Sequence, residues 1–208
     1  MAGAALAVTG LVAVADWVAV ARSMRALEFA AKPAVMVGLI GTALALQPAG
    51  PAERSLFVIA LGFGLVSDVL LMLPRDLFVW GLIAALVEHL AYISGFLTRT
   101  FHVGLFAVAG FIALAAALAV FPRIHRSIRA TKPSLVAPVM AYVGVFIVMV
   151  ACAGATGSGL TLAGALVFFC SDALLAWNRF VGPIRGGRLA NIAVYHAGQA
   201  ILVVSLVT

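Results

Sequence analysis

Two stretches of this chain, LVSDVLLMLP at 65–74 and FCSDALLAWN at 169–178, each place a Ser-Asp pair ahead of two leucines inside an apolar run. A charged side chain at the centre of a membrane helix costs about 2.5–3.5 kcal/mol on insertion scales, so such residues usually face the bundle interior and mark function. Asp68 and Asp172 are therefore the leading catalytic candidates. Two carboxyls brought close can share one proton and divide the work of general acid and general base.

Of the seven acidic residues, Asp16 and Glu88 also lie inside apolar runs, as do His89 and His196 among the four histidines. At 1.5 Å of rise per residue, Asp68 and Asp172 both fall roughly 7–9 Å beneath one membrane boundary. Tyr195 is expected at a similar depth, with Asn191 and Gln199 one turn away on the same helical face. Glu88, His89 and Tyr92 adjoin one another at helical spacing, about 17 Å in. The expected interior is a slot opening toward the cytoplasm, with Glu88 and His89 as its floor.

Structural readings stand beside these. Asp16 is expected as an interhelical hydrogen-bond partner, Ser67 and Ser171 as small residues that let helices approach, and His196 as a packing histidine as readily as a functional one. Lys32 and Lys132 fit interfacial anchors, the ordinary role of basic residues at helix ends.

These residues need helices to hold them. The chain has 208 residues, 65% hydrophobic and 10% charged, with a mean hydropathy of +1.21. That composition excludes an ordinary soluble domain and predicts an integral membrane protein. The net charge of +6 would suggest nucleic acid in a soluble protein. Here the basic residues crowd into gaps between apolar runs, which is membrane topology and argues against a nucleic-acid partner. Cys152 and Cys170 sit in apolar runs without CxxC spacing, so both are expected to pack. The first apolar run has its arginines, Arg22 and Arg25, after it, the reverse of a secretory signal peptide, and is expected to be a helix of the mature protein.

A hydrocarbon core about 30 Å thick needs roughly 20 residues per span. Eight runs qualify, near 3–21, 32–47, 55–73, 77–97, 101–121, 134–152, 159–178 and 189–207. The loops after the odd spans hold eleven Lys and Arg, and those after the even spans hold two, Arg54 and Arg99. The positive-inside rule puts the odd loops in the cytoplasm and both termini outside.

The Ser-Asp motifs are 104 residues apart, half the chain, and KPAVM at 32–36 recurs as KPSLV at 132–136. The expected architecture is an all-α bundle of eight transmembrane helices forming one domain, with two parallel four-helix repeats near 1–104 and 105–208.

Taken in order, AKPAVM, GLVSDVLLMLP, GLIAALVEHLAYISGF, GALVFFCSDALLAWNRF and YHAGQAILV resemble the YhhN-type lysoplasmalogenase family of eight-helix membrane proteins, over roughly 30–207. The resemblance implies a hydrolase that cleaves the vinyl-ether bond of lysoplasmalogens to a fatty aldehyde and a glycerophospho-alcohol. It implies no cofactor or metal, a lysophospholipid substrate, membrane lipids as surroundings, and a bacterial inner membrane as the location. The family's motif positions fall on Lys32, Pro33, Asp68, His89, Tyr92, Asp172, Asn178, Tyr195 and Gln199. Lys32, Glu88, His89, Tyr92, Asn178, Tyr195 and Gln199 are then expected to contact or orient substrate, and Lys32, Arg179 and either Arg185 or Arg188 to meet the lipid phosphate at the cytoplasmic rim. One position departs from the pattern: Ser67 stands where the family commonly has glycine.

Three other readings fit part of the sequence. A transporter or flippase is suggested by duplicated halves with polar groups between them, although glycines such as Gly62, Gly64 and Gly81 do not pair with prolines in mid-span. An intramembrane metallohydrolase would use His89, His196 and the acids, but no HExxH spacing is present. A non-catalytic lipid-binding protein would keep the pocket without turnover.

Overall fold

The computed structural model describes residues 2–48 and 50–208. Among them are eight long α-helices: α1 Ala2–Ala21, α2 Arg25–Ala45, α3 Pro51–Met72, α4 Phe78–Phe96, α5 Val103–Thr131, α6 Val136–Ala155, α7 Gly159–Phe180 and α8 Gly187–Val204. All eight are long and apolar enough to cross a membrane. The expected all-α membrane bundle is what the chain forms.

Helix ends shift by a few residues throughout, and α2 and α5 run furthest past their expected bounds, because in both a polar stretch continues the apolar run as helix. α2 begins at Arg25 rather than near 32 and carries Pro33 inside it. Glu28 lies in its first turn, where a carboxylate complements the partial positive charge of the helix start. Lys32 consequently sits two turns inside the helix, not at its end. α5 runs through Pro122 to Thr131, so at 1.5 Å per residue it is roughly 43 Å long. Its last turns, with Arg123, Arg126 and Arg129, extend beyond what a bilayer core can cover.

Sequential helices form four hairpins, α1 with α2, α3 with α4, α5 with α6 and α7 with α8, and the hairpins are joined through α2 against α3 and α8, and α4 against α6. α1 and α5 lie at the periphery. They expose Leu11 and Val8, and Phe111, Leu118 and Val103, respectively, side chains that a lipid solvent accepts without cost.

Small residues set the closest approaches. A Cβ on Gly198 of α8 would lie 2.8 Å from the Phe168 backbone nitrogen of α7, so only glycine allows these two backbones to meet. The same contact fixes the height of Tyr195 and Gln199 on the facing side of α8. Among the cysteines, Cys152 is buried, whereas Cys170 is exposed because its position on α7 faces outward.

Gly198→Val should force α8 off α7 at a cost of about 1–3 kcal/mol. Thermal unfolding in detergent should show a lowered midpoint relative to Gly3→Val, whose added Cβ meets nothing within 4 Å.

Candidate active site

One cavity of about 270 Å³ penetrates the bundle, and Asp68 from α3 and Asp172 from α7 both line it. Lys32, Glu88, Asn178 and Tyr195 line it as well. His89, Tyr92 and Gln199 do not reach it. They are fully buried behind its wall.

Asp68 is held from two helices. Lys32 Nζ of α2 lies 2.7 Å from Oδ1, and the Tyr195 hydroxyl of α8 donates to Oδ2 at 2.9 Å. The ammonium and the carboxylate are both largely buried, so each compensates the other in a medium where neither could stand alone. Ser67 anchors this stretch by donating to the Gly81 carbonyl of α4 at 2.9 Å.

Among the described residues no cation lies within ion-pairing distance of Asp172. Its Oδ2 meets the Tyr142 hydroxyl of α6, and Ser171 Oγ lies 3.3 Å from Oδ1. Tyr142 also faces His89 Nε2 at 3.3 Å. Among the described residues no hydrogen bond joins the two aspartates, and each has its own partners. Tyr142 escaped the sequence reading, although it is the only tyrosine of α6 and a buried hydroxyl in such a run must find a partner.

Behind the cavity the polar groups form a relay. Tyr92 OH donates to Gln199 Oε1 at 2.6 Å, and Gln199 Nε2 donates to Glu88 Oε1 at 2.6 Å. Asn191 Nδ2 donates to the Ser171 carbonyl at 2.6 Å, tying α8 to the turn that carries Asp172. Asn178 Oδ1 accepts from the Ile184 amide at 2.9 Å, so this residue shapes the α7–α8 connection as well as the cavity wall. Asp16 and His196 form a separate buried group: Trp17 Nε1 donates to His196 Nδ1 at 3.2 Å, and His196 Nε2 stands 3.9 Å from Asp16 Oδ2. That gap is too long for the interhelical hydrogen bond expected of Asp16.

The rim is ionic. Arg188 Nη2 donates to both oxygens of Glu28, at 2.7 and 3.0 Å. Arg179 donates to Asp76 at 2.9 Å and stacks on Phe78 with 4.0 Å between guanidinium carbon and ring centre. The hydrogen bond from Arg179 holds the exposed Asp76 carboxyl below the ordinary carboxylate range. Arg185 is exposed and away from the cavity. Lys132 lies 3.6 Å from Asp76, with both side chains exposed, so the two Lys-Pro lysines have different surroundings despite their matching motifs.

Residues 27–206 match the YhhN family. The chain belongs to that family. Curated relatives of this YhhN protein include lysoplasmalogenase TMEM86B of Homo sapiens, 30% identical over 167 residues, which are 80% of this chain and 70% of the human protein. The Mus musculus protein of the same name is 30% identical over 140 residues, 67% of this chain and 58% of its own length. The Sus scrofa protein is 30% identical over 141 residues, 68% and 58%. The YhhN chain thus spans less than two thirds of the mouse and pig relatives. No solved structure matches it.

Lys32→Met leaves Asp68 buried without its cation and should cost about 3–5 kcal/mol. Lys132→Met removes only an exposed contact, which contributes little. A large drop in thermal midpoint for the first and almost none for the second is the expected result.

Proposed function

We propose that this YhhN protein is a lysoplasmalogenase, hydrolysing the vinyl ether at the first glycerol carbon of a lysophospholipid by carboxyl general acid and base catalysis. What carries the reading is that the acids of the two Ser-Asp motifs line one cavity, in a chain similar over 80% of its length to a protein named lysoplasmalogenase.

A vinyl ether is cleaved by proton transfer to its β-carbon. The π electrons form the new C–H bond and leave an oxocarbenium ion, water adds to the α-carbon, and the hemiacetal falls apart to aldehyde and alcohol. One carboxyl of the Asp68 and Asp172 pair supplies the proton. The other, as carboxylate, stabilises the cation and takes a proton from the attacking water. The apolar walls suit the alkenyl chain, and Arg188 at the rim is placed to meet the phosphate. No cofactor enters this scheme.

The same reading puts the odd loops, and with them the rim, in the cytoplasm, with both termini outside and the bacterial inner membrane as the host. The halves near 1–104 and 105–208 descend from a duplication. In its support, α2 against α8 and α4 against α6 are equivalent contacts under a four-helix offset.

Purified protein incubated with a vinyl-ether lysolipid should release fatty aldehyde, detected by mass spectrometry, while the saturated alkyl-ether analogue stays intact. Asp68→Asn and Asp172→Asn should each slow release by roughly 100-fold or more. Saturable binding of both lipids with no aldehyde would make the chain a lipid carrier instead. Near-normal release from both variants would remove the carboxyl pair from the chemistry.

A further inference from the structure

The donors and acceptors around the two aspartates do not match, and the difference begins at His89. Its Nδ1 faces the Ala85 carbonyl one turn earlier in α4. A carbonyl only accepts, so Nδ1 carries a proton. The ring is fully buried, with Phe146 and Phe168 centroids 4.1 and 5.2 Å away, and among the described residues no carboxylate pairs with it, so an imidazolium has nothing to compensate its charge. Nε2 is then a bare lone pair, and the group facing it is the Tyr142 hydroxyl at 3.3 Å. A tyrosine has one proton to give. If Tyr142 gives it to His89, its oxygen must accept at the other contact, from Asp172 Oδ2.

From this inventory we infer that the resting proton of the pair resides on Asp172, which is the general acid, that Asp68 is the resident carboxylate, and that His89 and Tyr142 are positioning residues holding the acid in its protonated form. The inference rests on the carboxyl mechanism proposed above and assigns its two roles.

Asp68 shows the opposite pattern. Lys32 Nζ can only donate. Tyr195 donates to the second oxygen, its other neighbour being Met36 Sδ at 3.4 Å, a weak acceptor. Both carboxylate oxygens receive donors, and among the described residues the Tyr195 proton has only the weak thioether acceptor of Met36 as an alternative to Asp68, so it stays directed at the carboxylate. The anion that meets the oxocarbenium ion is thus in place before substrate arrives, with Lys32 keeping it stable in an apolar bundle.

The Tyr142 hydroxyl then works in two positions. While Asp172 is protonated, the hydroxyl donates to His89 and accepts from the acid. Rotation about the Asp172 Cβ–Cγ bond brings the acidic proton to the cavity, where it passes to the β-carbon. Tyr142 can then swing its own proton to the new carboxylate, so both protonation states of Asp172 have a partner. Ser171 on its own helix lies 3.3 Å from Asp172 Oδ1, and the other titratable groups lining the same cavity are Arg25, Glu28 and Lys32 from α2, Asp68 from α3, Glu88 from α4, Tyr142 from α6, Arg179 from α7, and Arg188 and Tyr195 from α8, while α5 contributes Phe121.

The test uses the intact protein in detergent. Infrared difference spectra at neutral pH against the unsubstituted protein should show loss of one carboxylic-acid carbonyl band in Asp172→Asn and no such loss in Asp68→Asn. Survival of every band in Asp172→Asn, or loss of one in Asp68→Asn, overturns the assignment. In His89→Leu the Tyr142 proton is freed to serve the ionised Asp172, so the alkaline limb of the kcat profile should move down by about one pH unit. His89→Gln, which keeps an acceptor, should hold the limb in place. An unmoved or raised limb in a folded, active His89→Leu protein refutes the positioning role, and the infrared pair still decides if that variant does not fold. Aldehyde release abolished in both asparagine variants, with the band following Asp68, would leave the carboxyl mechanism standing and reverse only the roles.

Discussion

The contact on which the interior depends is the pairing of Lys32 with Asp68, closed by Tyr195. An ammonium and a carboxylate inside eight apolar helices are tolerable only together, and their attraction fixes α2, α3 and α8 at one height. Tyr195 uses its hydroxyl on the carboxylate, while its ring lies within cation–π range of Lys32, 5.6 Å from Nζ to the ring centre. Weakening any of the three would expose the others to a medium that cannot solvate them. Lipid offers no hydrophobic drive for helix association, so polar contacts and close backbone packing must hold such bundles together.

Around that knot the polar groups sort by what compensates them. Asp68 and Glu28 face cations. Glu88 and Asp172 face amide and hydroxyl groups, so their surroundings suit a carboxyl whose proton comes and goes. Among the described residues neither oxygen of Asp16 has a hydrogen-bond partner, and His196 Nε2 stands 3.9 Å from it. The proposed reaction would draw on both kinds: apolar walls for the chain, a fixed anion for a developing cation, and a hydroxyl-bound acid for the proton. At the opposite end of the bundle, Arg99 joins Glu53 at 2.8 Å and donates to the Ser205 carbonyl at 2.7 Å, linking the α4 end to that of α8 with a buried charge pair.

Much of the arrangement was legible because composition and spacing speak directly about a membrane. Apolar runs of span length required eight helices, and the repeated Ser-Asp motifs picked out two side chains that do line one cavity. Helix limits were less legible: the apolar runs start near 32 and stop near 121, yet α2 and α5 continue through Pro33 and Pro122 along polar extensions. Lys32 and Lys132 share a motif but not an environment, because the first lies within α2 facing Asp68 and the second caps α5 in solvent. Tyr142 gave only the faint signal of one hydroxyl in an apolar run. His89, Tyr92 and Gln199 carried strong polar signals, yet sit behind the cavity wall.

By itself, then, the sequence determined the helical class, the number of spans, the polar positions within them and the family. Each of these follows from local composition or from ordered motifs, which need no knowledge of what packs against what. Which acid meets a cation, which meets a tyrosine, and which polar groups reach the cavity were decided by tertiary structure alone. Those contacts join residues dozens to more than a hundred positions apart, and they depend on helix rotations of a fraction of a turn, set by packing such as Gly198 against Phe168, that no spacing along one chain encodes.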